Sequence, residues 1–236
     1  MTAELGVGEL GVGELDVGEL GVGELGVSEL RAPSPRGAAA RPLSSVPAGG
    51  EVDQVAAIEA ARDFLTALGI DVTREGLADT PARMARAYAE LFTARPFTAT
   101  TFPNDAGYDE LVVARGIPLV SVCEHHLLPF TGTATVGYLP GGRILGLSKL
   151  ARLVEHLARR PQVQERLTRQ IADWLTDHLA PRGVAVLLHA EHTCMTLRGA
   201  RAAGSTTVTS AFLGTLRHDA RSRAEFLTLA GASSGP

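Results

Sequence analysis

Cysteine is nearly absent from this chain: Cys123 and Cys194 are the only two in 236 residues. Two thiols exclude the disulfide framework with which small secreted domains make up for a thin core. Basic residues are absent from residues 1–30, which hold Glu4, Glu9, Glu14, Asp16, Glu19, Glu24 and Glu29 but no Lys or Arg. With no basic segment leading into an apolar one, no secretory signal is expected. No apolar run is long enough to cross a bilayer, so no membrane span is expected and the chain is read as cytoplasmic. An excess of positive charge is also missing. The formal net charge of −4 argues against a general nucleic-acid binder. Setting aside the −7 of residues 1–30 leaves +3 for the rest, a mildly basic body that suits an anionic small molecule. What the chain does contain is 45% apolar residues, enough to build a core in one large domain or two small ones.

Residues 4–30 repeat Glu-Leu-Gly-Val-Gly with a period of five, broken at Asp16 and Ser28. That period matches neither helix nor strand, and the glycines raise the cost of ordering. Residues 31–50 continue with Pro33, Pro35, Pro42 and Pro47 among Ala, Ser and Gly. Residues 1–50 are therefore read as a disordered acidic tail and linker, with 51–236 as the folded part.

The chemistry is concentrated in two short segments. Cys123-Glu124-His125-His126 carries one thiol and two imidazoles, and His192-Thr193-Cys194 carries another of each. Cys-x-x-His brings two soft ligands to one side of a tight loop. On a continuous strand, His192 and Cys194 would share a face. Three of these five side chains would complete a zinc site with one position open to water. The plainer readings are a disulfide, which suits a secreted protein, or ordinary core and surface histidines.

Elsewhere the pattern is of packing elements. Val52, Val55, Ile58, Phe64, Leu65 and Leu68 predict an amphipathic helix over 51–68, ended by Gly69. Asp79-Thr80-Pro81 predicts a second helix start, running to Pro96 at the latest. Strands are expected at 111–113 and 117–122, and over Gly132–Leu139, which with a Pro140-Gly141-Gly142 turn and Arg143–Leu147 reads as a hairpin. Ser148 is expected to cap a helix, with Lys149 and Arg152 on its first turns. Ser148, Lys149 and Arg152 form either a phosphate cradle or a basic surface face. The next helix is expected from Pro161. Gln164 and Glu165 sit in its first turns, where the Glu165 carboxylate either satisfies the helix dipole or accepts a guanine-like edge. A long strand is expected over 184–198, followed by another over Thr206–Phe212. His189 falls on the opposite face and is a weaker ligand candidate. Helices, strands, a helix pair and strands again give an α+β class, an antiparallel sheet covered by helices.

Five segments together resemble GTP cyclohydrolase I. They are residues 71–93, Ser121–His126, Gly146–Arg152, Arg160–Thr168 and His192–Gly199, and the resemblance spans roughly 52–229. It implies the tunnelling fold, with an antiparallel sheet carrying helices on one side over about 108–229 and a helical segment over 51–95 before it. It also implies a homodecamer of two pentamers with active sites between subunits. The zinc ligands it implies are Cys123, His126 and Cys194. His125, His192 and Ser148 become proton-transfer groups, with His192 the acid at purine N7. Lys149, Arg152 and Arg198 fall where the family holds the triphosphate, and Gln164 and Glu165 where it meets the purine. The implied reaction takes GTP and water to 7,8-dihydroneopterin triphosphate and formate, the first step towards folate or tetrahydropterin. The repeat in residues 1–50 has no part in the resemblance.

Overall fold

The computed structural model describes residues 51–231; the predicted disordered tail and linker (1–50) and residues 232–236 lie outside them. Helix α1 (Gln54–Ala67) starts where the Asp53 carboxylate accepts from the Ala56 N–H at 3.0 Å. It ends as the Leu68 N–H closes onto the Phe64 and Leu65 carbonyls, just before Gly69. Of its predicted apolar face only Ile58 and Leu65 are half-buried; Val55, Phe64 and Leu68 are exposed. The reason is that α1 packs mainly on its neighbour α2 (Thr80–Phe92), whose Pro81 sits in the first turn as expected.

The remaining elements are β1 (Thr101–Pro103), β2 (Val112–Cys123), β3 (Pro129–Leu139), β4 (Arg143–Leu145), α3 (Leu147–Ala158), β5 (Pro161–Gln162), α4 (Gln164–Leu179), β6 (Gly183–His192), α5 (Thr193–Thr196), β7 (Thr207–Gly214), α6 (Thr215–His218) and α7 (Ala220–Leu229). Five strands form one sheet in the order β5-β2-β3-β6-β7, and every pairing is antiparallel except the short parallel contact of β5 with β2. The two predicted strand runs at 111–122 are a single strand. A bulge between Ala114 and Ile117 absorbs the break, and Gly116 there has φ +69, a conformation L side chains resist.

The α+β class and the helix-covered antiparallel sheet are present. Leu150, Leu153, Val154 and Leu157 recur at helical spacing on α3, and Leu167, Ile171 and Leu175 do so on α4. All are 0–4% exposed, packed on Leu119, Phe130, Val136, Val186 and Leu188 of the sheet. Each such side chain contributes about 1.5–3 kcal/mol by leaving water. A smaller cluster built on Leu216 and Phe226 covers part of the sheet's other face through Ala185, Val113 and Phe212, so α6 and α7 add helical cover on a second side. Gly132 lies opposite Ala190, and a Cβ there would stand 1.9 Å from the His189 carbonyl oxygen. The spacing of β3 and β6 therefore admits no side chain at that point.

Four local expectations are corrected. The predicted hairpin of β3 with Arg143–Leu147 does not form. Both edges of β3 are filled, by β2 and β6, so β4 turns away and pairs with β1. Ser148 is not the cap of α3; Gly146 takes that place, and Ser148 is exposed inside the first turn. Pro161 does not open a helix but pairs with Val122 at the sheet edge, where a residue without an N–H is tolerated, and α4 begins at Gln164. The strand expected over 184–198 stops at His192. Its partner β3 begins at Pro129, so beyond the Phe130–His192 pair there is nothing to hydrogen-bond, and the chain coils into α5.

Candidate active site

Cys123 closes β2 and opens a tight reversal. The Leu127 N–H donates to the Cys123 carbonyl at 2.8 Å and the Cys123 N–H donates to the Leu128 carbonyl at 2.9 Å. Leu127 takes φ +53, a left-handed conformation that costs a side-chain-bearing residue about 1–2 kcal/mol. The reversal folds both histidines back towards the thiol: His125 Nδ1 lies 3.8 Å and His126 Nδ1 3.9 Å from Cys123 Sγ. From the other segment, the coil into α5 carries Cys194 inward. Donor atoms of Cys123, His192 and Cys194 all fall within 4.8 Å of one another. Sequence reasoning brought His192 and Cys194 together by strand parity; a helical turn does it instead. Both cysteines are free thiols, which disposes of the disulfide reading.

His192 ends β6 with its ring stacked on Phe130, centroids 4.4 Å apart and planes 10° from parallel. Its Nε2 lies 2.7 Å from Gln164 Oε1. Burial holds the imidazole below its ordinary pKa, opposed by the charge of Glu165. Burial likewise pushes the Cys194 thiol up, the adjacent Cys123 adds to this, and the positive charge of Arg198 acts in the opposite direction. Gln164 is buried, whereas Glu165 is exposed beside a cavity of about 390 Å³ shared with Arg169, Ser210, Phe212 and Arg223.

The residues of the expected phosphate cradle lie elsewhere on the chain. The Ser121 hydroxyl donates to the Ala158 carbonyl at 2.7 Å, which fixes the C-terminal end of α3 beside the end of β2. Ser148 is ten residues nearer the other end, about 15 Å along the axis at 1.5 Å per residue. Lys149 shares that first turn. Arg152 borders a cavity of about 240 Å³ with Arg95, Phe97 and His156. The single chain thus gathers Cys123, His125, His126, Gln164, His192 and Cys194 at one end of the sheet, and holds Ser148 and Lys149 at the far end of α3.

The GTP cyclohydrolase I family model matches residues 57–231. The chain belongs to the GTP cyclohydrolase I family. GTP cyclohydrolase 1 of Mycobacteroides abscessus is 55% identical over 188 residues, covering 78% of this chain and 92% of that one. The Thermobifida fusca protein of the same name is 53% identical over 188 residues, with 78% and 90% covered. That of Rhodopirellula baltica is 51% identical over 184 residues, with 76% and 80% covered. As a member of the GTP cyclohydrolase I family, the chain is an enzyme.

In this GTP cyclohydrolase I family member the clustered donors are sulfur and nitrogen, a set that can hold a borderline or soft metal ion and poorly suits Mg²⁺ or Ca²⁺. The nearby carboxylate of Glu124 is already engaged. It pairs with Arg166, whose hydrogen bond holds the carboxyl below the usual range. Arg166 Nε also donates to Gln162 Oε1 at 3.0 Å, and the Glu124 N–H donates to the Gln162 carbonyl at 3.0 Å, so the loop is tied to β5. Tyr88 of α2 donates its hydroxyl to the Leu127 carbonyl at 3.1 Å. Sequence reasoning assigned no role to Phe130, Tyr88 or Arg166. Tyr88 and Arg166 lie inside segments that carry the family resemblance, and Phe130 lies close to the Cys123 segment. Among the described residues no helix is long and apolar enough to cross a membrane.

Proposed function

We propose that the protein converts GTP and water into 7,8-dihydroneopterin triphosphate and formate, with zinc held by Cys123, His126 and Cys194. The observation that carries this is the meeting of two free thiols with histidines beside Gln164 and Glu165, in a chain of this family. Zinc, when bound, supplies Lewis acidity and makes water a competent nucleophile near neutral pH. The other steps belong to the chain's own residues. His192 protonates purine N7 while water adds at C8. Glu165 accepts hydrogen bonds from the guanine edge and disfavours adenine, whose edge presents the wrong pattern. Lys149, Arg152 and Arg198 neutralise the triphosphate. His125 and Ser148 move protons as the ribose opens and rearranges.

A competing metal assignment replaces His126 with His192, and the 4.8 Å grouping favours it. The Gln164 contact occupies only one ring nitrogen of His192 and leaves the other open, so the choice of His126 rests on the family resemblance. His126 is exposed, with Nδ1 3.9 Å from the Cys123 sulfur and its ring edge-on to His125.

The chain adopts the tunnelling fold and works as a homo-oligomer, a decamer of two pentamers, with each site built between subunits. Two observations support shared sites. Ser148 and Lys149 stand far from the thiols along α3, and Val55, Phe64 and Leu68 of α1 leave an apolar face exposed on the single chain. The enzyme is cytoplasmic, takes the first step towards folate or tetrahydropterin, and carries its activity on residues 51–236. Incubating purified protein with GTP should release formate and, after oxidation, a fluorescent pterin in equal amounts. Zinc-loaded protein that binds GTP yet yields neither would refute the reading.

A further inference from the structure

We propose that Gln164 is a positioning residue which fixes the orientation and tautomer of His192, and that its side chain does not read the purine. The inference rests on the assignment of His192 as the acid at N7. Gln164 opens α4 and is 1% exposed. Its Nε2 faces the Leu188 carbonyl at 3.3 Å, the Thr207 carbonyl at 3.0 Å and the Thr209 hydroxyl at 3.1 Å. Carbonyl oxygens only accept, so the amide must turn its NH₂ to this side; a flipped amide would set oxygen against two oxygens.

A ring of hydrogen bonds enforces the same orientation. The Thr168 hydroxyl donates to the Gln164 backbone carbonyl at 2.7 Å. With that hydrogen spent, Thr168 Oγ1 accepts from Thr209 Oγ1 at 2.6 Å, which leaves the Thr209 oxygen to accept from Gln164. Each hydroxyl thus gives in one direction only. Oε1 is then the end of the amide that meets His192 Nε2 at 2.7 Å, and an amide oxygen can only accept. Nε2 therefore keeps its proton towards Gln164, and Nδ1 is the nitrogen that exchanges one: the imidazolium gives its Nδ1 proton to N7 and returns to the neutral ring with the lone pair on Nδ1. Phe130 holds the ring plane from the face. Both amide hydrogens are committed inside the protein, so no donor remains for a purine. Glu165, one position on and exposed, is left to read the guanine edge.

The test uses full-length protein with GTP. Gln164→Met removes the amide at similar length. It should lower kcat roughly 10-fold or more, part of the about 10²–10⁴-fold that a positioned general acid supplies. The calorimetric Kd for GTP should stay within about twofold, and the preference for GTP over ITP and the zinc content should not change. Thr209→Val breaks the hydrogen-bond ring without touching His192, and should lower kcat in the same direction with Kd unchanged. In a double-variant cycle, adding Gln164→Met to His192→Ala should cost nothing further. The proposal is overturned if Gln164→Met keeps kcat while losing GTP affinity or the GTP-over-ITP preference, if Thr209→Val leaves kcat unchanged, or if the two substitutions are additive. Wild-type turnover in His192→Ala would remove the acid assignment and this inference together. An inactive His192→Ala with an additive cycle would remove this inference alone.

Discussion

If each site joins the thiol end of one chain to the α3 start of another, two inactive variants should complement each other. Cys194→Ser removes a metal ligand and leaves the cradle; a Lys149→Ala, Arg152→Ala double variant removes the cradle and leaves the thiols. The distance along α3 sets the expectation. Ser148 lies about 15 Å from the end of α3 that sits beside β2. In a cyclic assembly every interface is equivalent, so random mixing at equal amounts gives each half-site an even chance of being intact and leaves about a quarter of the sites complete. Co-expressing the two chains with different tags and purifying on both should yield close to that fraction of wild-type pterin formation. Each parent alone should give none. Mixed oligomers that stay at the parental level would show that one chain holds the whole site, and the split-site reasoning would fail.

Zinc content separates the competing imidazoles: Cys194→Ser and His126→Ala should purify without stoichiometric zinc, while His192→Ala should retain it and lose turnover. The reverse pattern for the two histidines would move His192 into the ligand set. The hydroxyl and backbone N–H of Ser222 hold the Asp219 carboxyl below its ordinary value of 3.8. A carboxyl lowered by folding stabilises above the unfolded value, and that stabilisation is lost as pH falls through the lowered one. Asp219→Ala should therefore flatten the acid limb of the melting-temperature profile below about pH 4. Deleting residues 2–48 should leave turnover and oligomeric state unchanged; loss of activity in the purified truncation would assign the repeat a function.

Much of the fold was readable because local pattern and tertiary demand agree. The spacing of Leu150, Leu153 and Leu157 announces α3, and alternating residues around Val184 and Val186 announce β6. Three of the misreadings occur where partner availability overrides local preference. Arg143–Leu145 looks like the return of a hairpin, but β3 has no edge left to offer. Pro161 looks like a helix start, yet the end of β2 needs a neighbour and takes Pro161 and Gln162. The residues from Thr193 look like continued strand until β3 runs out at Pro129. The clustering of the two cysteines with the histidines was legible from the Cys-x-x-His and His-x-Cys spacing. The inward commitment of Gln164 was not, because Thr168 and Thr209 come from separate elements that only the packed sheet brings to it.

The close approach of β3 and β6 at Gly132 has a consequence for anyone mapping this enzyme by mutation. A Cβ at Gly132 would collide with the His189 carbonyl and push apart strands whose last pair is Phe130 with His192. In a screen scored on product alone, Gly132 would rank with the imidazoles, although it donates and accepts no proton. A map of indispensable positions would thus mix reagents with spacers. Separating them requires a second axis, such as metal content or GTP affinity, on which a spacer and a reagent fail differently.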